Sequence, residues 1–241
     1  MKQKHGNSLF YICIACVIIS SLTRVWYCLN YPVPVRDSYK YMQLIKYWDI
    51  YKELPKNNTI PPLSLFFLKI PSHFLPIDII TGGVVSNIVF GTLIVITSIL
   101  IIGHFPSSKL LILITGIVVA THPTLVYYSC HMLRENSYLL FCFLIAYSII
   151  ANYNKRDYYH LMLEGIYAGM ACLVRYESLE IIIIWLLLTA INPKKSKRAK
   201  LNETSLFLLS FVVTILLIDY YLDIPLRYYI NSYYKVEKKV I

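Results

Sequence analysis

The stretch IITGGVVSNIVFGTLIVITSILIIGHFPSS, residues 79–108, contains no Asp, Glu, Lys or Arg. A helix needs about 20 mostly apolar residues to cross the hydrocarbon layer of a bilayer, and this run exceeds that length. Working outward, 110–133, 136–154 and 204–218 are also free of these four residue types. Across the 241 residues charged groups make up only 15%, where soluble domains average about 25%. The mean hydropathy is +0.57. The 57% hydrophobic fraction includes 22 Tyr, so bulk composition decides little and the placement of charge decides more. A disordered chain, a small disulfide scaffold and a soluble enzyme are excluded. The expected class is an all-α polytopic membrane protein with about seven transmembrane helices, at 8–29, 79–103, 109–130, 136–153, 158–174, 178–192 and 204–222. The spans at 158–174 and 178–192 are the weakest, since Glu164 and Glu180 lie in them.

The net charge of +10 raises the question of nucleic acid, but the cations gather at the ends of apolar runs and make no basic face with interleaved aromatics. They follow the positive-inside pattern. Lys109, then Lys155 and Arg156, then Lys194, Lys195, Lys197, Arg198 and Lys200 fall on one side if the N-terminus is cytoplasmic. The first helix, behind Lys2 and Lys4, is expected to be uncleaved. Lys40, Lys46, Lys52 and Lys56 run against the rule in the first outer loop, partly offset by Asp37, Asp49 and Glu53. The chain is thus one transmembrane module, 1–241, with a first outer loop at 30–77, an outer tail at 223–241 and no internal repeat. Within the loop, apolar spacing predicts an interfacial helix over Tyr39–Tyr51. Residues 61–77, broken by Pro61, Pro62, Pro71 and Pro76, predict a short helix at the surface.

Of the six cysteines, Cys13 and Cys16 form a CxxC inside an apolar run, where packing is the expected use. Cys28 and Cys130 both fall near outer helix ends, which leaves a disulfide open. His122, His131 and Glu135 lie near the same face, but a nine-residue His spacing is not a standard metal pattern. No glycine-rich phosphate loop occurs, and Asn57-Asn58-Thr59 is a glycosylation acceptor pattern.

With this topology the unusual polar residues share the outer side: Asp37 after the first span, Arg134 and Glu135 before the fourth, and Arg175, Glu177 and Glu180 between the fifth and sixth. Ionisable groups near membrane depth are costly and tend to face a cavity or one another. Three separated segments meeting at one face suggest a site; ordinary loop charges at helix ends are the competing account.

The ordered set RDSYKY (36–41), PPL (61–63), HPTLVYYSCHMLRE (122–135) and GMACLVRYE (169–177) resembles the GT-C glycosyltransferases, most closely the branch of protein O-mannosyltransferases and aminoarabinose transferases. The resemblance covers about residues 8–190. Members usually continue further, with more helices and often an outer soluble domain, so this chain would be a short or truncated member. The resemblance implies sugar transfer from a polyprenyl-phosphate donor to a lipid, glycan or protein acceptor at the outer face of the plasma or inner membrane, in cell-envelope glycosylation. Asp37 matches the family's first-loop acid and is the expected general base. It is followed by Ser38 where many members carry a second acid. Arg175, with Arg134 second, is expected to bind the leaving phosphate, for which guanidinium is suited. Glu135 matches the second acidic position and would orient donor or acceptor. Tyr39 and Tyr41 would line the sugar site, with Glu177 among the substrate-binding residues; an ion pair of Arg175 with Glu177 or Glu180 that only pins the turn is the competing account. The resemblance fixes no cofactor, and a divalent metal stays open. A catalytically inactive subunit that binds the lipid carrier or a partner is the first alternative and a transporter the second, although polar groups at the bilayer midplane, which a transporter needs, are not evident.

Overall fold

The computed structural model describes residues 6–31, 34–55, 60–152, 157–191 and 196–222. The Asn57-Asn58-Thr59 pattern, Lys56, Lys155, Arg156, Lys194, Lys195 and the tail 223–241 lie outside the described residues. Those described form an all-helical bundle: α1 (Gly6–Asn30), α2 (Arg36–Tyr51), α3 (Pro62–Phe74), α4 (Ile79–Gly103), α5 (Lys109–Thr121), α6 (Pro123–Ser129), α7 (Glu135–Asn152), α8 (Tyr158–Val174), a 3-10 turn at Tyr176–Ser178, α9 (Leu179–Ile191) and α10 (Lys197–Leu222).

Helices form at each of the seven expected positions, but fewer than seven are spans by length and composition. Among the described residues α1, α4 and α10 are long and apolar enough to cross a membrane, and α5 with α6 makes a fourth if the bent pair is one span. The bend is 50° and follows from Pro123, which starts α6 at a position where its missing N–H leaves no broken bond and cannot continue α5. In place of the single straight span expected over 109–130 there is a bent pair of helices, the geometry of a broken span or of a re-entrant loop. The helix α8 has 17 residues and α9 has 13, short for the roughly 20 that a perpendicular crossing needs. The long apolar helices make this a membrane protein.

Asp78 starts α4 by accepting from the Ile80 and Thr81 amides at 2.9 and 3.1 Å, which satisfies two of the free N–H groups of the first turn. From there α4 forms the centre, packing against α1, α3, α5, α6 and α7, while α8 lies between α7 and α10. Three apolar clusters result. Cys16, Val95, Ile99, Ile112 and Ala120 join α1, α4 and α5, so the CxxC serves packing. Ile145, Leu161, Ala168, Trp185 and Phe207 join α7 to α10. Tyr41, Ile45, Leu65, Leu68, Met132, Phe141 and Val174 cap one end of the bundle.

The interfacial helix of the first loop is α2, three residues longer at its start than the spacing predicted, which brings Asp37 into its first turn. The second loop helix, α3, differs from expectation. Leu63, Leu65 and Leu68 are at most 3% exposed, so its first two turns enter the core rather than lie at the surface. Pro62 at the first helical position is compatible with this.

The buried Glu164 in α8 has a structural explanation: its Oε2 accepts from the Trp185 indole at 2.6 Å, and that indole stacks on Phe207 at 4.0 Å.

Candidate functional site

Residues 37–41 belong to the first turns of α2, where spacing of three and four turns Ser38, Tyr41 and Ile45 inward. Tyr41 is 5% exposed. Burial pushes its hydroxyl up to about 12, with Arg134 opposing, Glu135 and Asp37 adding to the rise and Arg175 opposing. The three segments meet in packing: Tyr41 shares one apolar cluster with Met132 and Leu133, next to Arg134 and Glu135, and with Leu173 and Val174, next to Arg175. Asp37 lies on the exposed side of the same turn, near the positive end of the helix dipole, which favours a carboxylate.

The second segment, 130–135, crosses between α6 and α7. It is held from α4: the Asn87 amide donates to the carbonyls of His131 and Leu133, both at 2.7 Å. Asn136 donates to the Asn87 carbonyl at 3.1 Å and to Ser129 Oγ at 2.7 Å, and Ser137 Oγ donates to the Arg134 carbonyl at 2.9 Å. Gly83 permits this close approach, since a Cβ there would lie 2.4 Å from Met132 Cγ. The segment is fixed by side chains binding its backbone, without using the side chains of Arg134 and Glu135.

The third segment follows α8. Arg175 is extended and its N–H donates to the Ala171 carbonyl at 2.8 Å. Ser178, fully buried, donates through Oγ to the Ala171 and Arg175 carbonyls and closes the 3-10 turn. Arg175 Nε is 3.3 Å from Glu177 Oε2, and its guanidinium lies 5.4 Å over the Tyr138 ring. Arg134 reaches the other oxygen of Glu177 at 4.0 Å. The Arg175–Glu177 ion pair, the competing account of Arg175, is thus present, with both arginines flanking one half-exposed carboxylate.

Among the described residues, buried atoms here without a hydrogen-bond partner include Ser38 Oγ, Arg134 Nε, Glu135 Oε2 and Arg175 Nε, the last ion-paired with Glu177. An unsatisfied buried polar group costs about 1–3 kcal/mol, and a polar ligand would meet that need. The structure therefore brings Asp37, Tyr41, Arg134, Glu135, Arg175 and Glu177 to one end of the bundle. Tyr39 stays apart: it is 48% exposed, and no contact among the described residues ties it to the others. Glu180 is exposed on the first turn of α9. His122 is exposed, whereas His131 is buried edge-on to Tyr127 at 4.5 Å, and among the described residues no three metal-ligating side chains stand together. Two open clefts of about 260 and 320 Å³, at Tyr158–Glu203 and at Trp48–Tyr221, contain none of the six clustered residues.

The sequence did not point to Asn87, Ser129, Asn136, Ser178 or Arg24. The guanidinium of Arg24 is fully buried in α1, where it donates to Ser129 Oγ at 2.8 Å, to the Ala120 carbonyl at 2.9 Å, to the Ser20 carbonyl and hydroxyl, and to the Gly91 carbonyl at 3.4 Å. The signal for it was present: a cation inside an otherwise apolar run.

The fold is GT-C-like. It is similar to a chain of the Saccharomyces cerevisiae protein O-mannosyltransferase Pmt1–Pmt2 complex bound to the sugar donor, with a TM-score of 0.66 over 97% of this chain at 16% identity. At that identity the likeness is one of fold. The match covers 34% of the yeast chain, so this chain spans about a third of its length. No family model and no curated protein matches the sequence.

Proposed function

We propose that the chain is a glycosyltransferase module of the membrane that moves a sugar from a polyprenyl-phosphate donor to an acceptor at the non-cytoplasmic face. The observation that supports this reading is the meeting of Arg134 and Arg175 at Glu177, at the end of the bundle where α2 carries Asp37, on a scaffold similar in fold to that of a sugar transferase. The topology that goes with it puts the N-terminus inside and the Asp37 end of the bundle outside.

In this mechanism the acceptor oxygen attacks the anomeric carbon while Asp37 takes its proton. The bond from that carbon to the phosphate oxygen breaks, and the electron pair leaves with the polyprenyl phosphate. Charge grows on that oxygen, and guanidiniums in a poorly solvated setting stabilise it more than water-exposed ones would. Arg175 and Arg134 supply the charge, and Glu177, ion-paired with both, holds them near each other. Glu135, with a free oxygen, accepts from hydroxyls of the donor sugar or acceptor. Tyr41 is neutral throughout and offers a hydroxyl donor to the same place.

The test is transfer of radiolabelled sugar from polyprenyl phosphate by the purified protein. Asp37→Asn is expected to reduce transfer at least 100-fold, the range general-base loss produces, and to leave binding of the carrier within a factor of two or so. Undiminished transfer by the variant removes Asp37 from the mechanism. Carrier binding without transfer in the unaltered chain replaces the enzyme with a binding subunit.

A further inference from the structure

We propose that Cys28 and Cys130 are a dithiol that an external disulfide oxidises to an intramolecular bridge. Cys28 lies in the last turn of α1 and Cys130 caps the end of α6; 101 residues separate them in sequence. Cys130 Sγ sits against the backbone of α1 one turn before Cys28, each thiol acts electrostatically on the other, and both are free. The approach is fixed by backbone. Cys130 Sγ reaches the Arg24 carbonyl at 3.3 Å, while its own N–H is held by the Val126 and Tyr127 carbonyls at 3.2 and 3.1 Å. The two sulfurs are therefore presented by helix ends that the Arg24 and Ser129 contact already joins.

The pair divides the work by exposure. Cys28 is partly exposed and Cys130 is 7% exposed, so an incoming disulfide R–S–S–R meets Cys28 first. The thiolate of Cys28 attacks one sulfur, the R–S–S–R bond breaks, and one R–S⁻ leaves. The thiolate of Cys130 then attacks the Cys28 sulfur of the mixed disulfide, and the second R–S⁻ leaves. The two cysteine protons end on the released thiols. Both protein sulfurs are oxidised and the external disulfide is reduced to two thiols. Arg24, whose charge acts on both sulfurs, supplies the kind of cationic surrounding in which thiolate nucleophiles form.

A bridge here would tie the end of α1 to the segment that continues into Arg134 and Glu135, so the redox state of the pair would set how far that segment can move. That consequence in the cell rests on the outward orientation proposed above, because disulfides persist in oxidising compartments.

The purified full chain in detergent, incubated with oxidised glutathione and mapped by peptide mass spectrometry without reductant, should yield a Cys28–Cys130 linked pair, lighter by two hydrogens and cleaved by dithiothreitol. Cys130→Ser should trap Cys28 as a mixed disulfide with glutathione, and Cys28→Ser should leave Cys130 unmodified. Two thiols still alkylatable after oxidant in the unaltered chain, or a linked pair of different cysteines, overturns the assignment. A pair that closes in detergent but is reduced in cells upholds the dithiol and counts against the orientation instead.

Discussion

His131 is buried within the segment that carries Arg134 and Glu135, and burial holds its imidazole below the ordinary value of about 6.5. The folded state thus binds fewer protons than the unfolded one across that interval. Its contribution to stability is complete above about pH 6.5 and is lost as pH falls through the lower folded value. Replacing it by His131→Phe, which keeps a ring against Tyr127, should flatten the acid side of a thermal-unfolding profile taken between about pH 7 and 5. A profile that keeps its slope assigns the acid sensitivity elsewhere. Residues of this kind mark the limit of what the sequence discloses. Asp37, Arg134, Glu135 and Arg175 stood out because charge is rare in apolar surroundings. Asn87 and Ser178 did not, because small polar residues are common in helices and their work is to bind carbonyls 44 to 46 residues away for Asn87 and seven or fewer for Ser178, relations that no spacing rule encodes.

At the scale of elements, α8 and α10 approach closely along small residues. A Cβ on Gly165 would press into Ser210 Oγ and the Phe207 carbonyl, and one on Gly169 would lie 3.1 Å from Thr214. Backbone contact of this sort is how membrane helices pack when lipid is as apolar as they are. Gly165→Ala should therefore cost about 1–3 kcal/mol, visible as a lowered unfolding temperature in detergent, whereas alanine at Gly103, which has only distant neighbours, should cost far less. Equal shifts for the two would mean that α8 and α10 do not rely on this seam. Helix positions were legible from the uncharged runs. The break at Pro123 and the inward path of α3 were not, since both depend on what the flanking helices leave room for.

The whole molecule gathers its candidate chemistry at one end. The helix ends near His104 and Tyr147, whose rings meet at 5.3 Å, lie at the other. The proposed orientation predicts that a cysteine at His122 is labelled from outside intact cells by a membrane-impermeant maleimide, and one at His104 only after permeabilisation, each measured against the unsubstituted chain. The reverse pattern would put the Asp37 cluster in the cytoplasm and end the case for an outer-face transferase.

Arg24 has a consequence for how such a chain is made. Its partners are two hydroxyls and three carbonyls, with no carboxylate in the set, and Ala120 and Ser129 are synthesised roughly 100 residues after it. An arginine at the centre of a lone helix costs about 2.5–3.5 kcal/mol on insertion scales, a ceiling for one nearer the end. During biosynthesis the first segment is thus expected to linger beside the translocation channel until α4 to α6 emerge. Nascent chains arrested before residue 120 should cross-link to the channel through α1, and those arrested well beyond residue 130 should not.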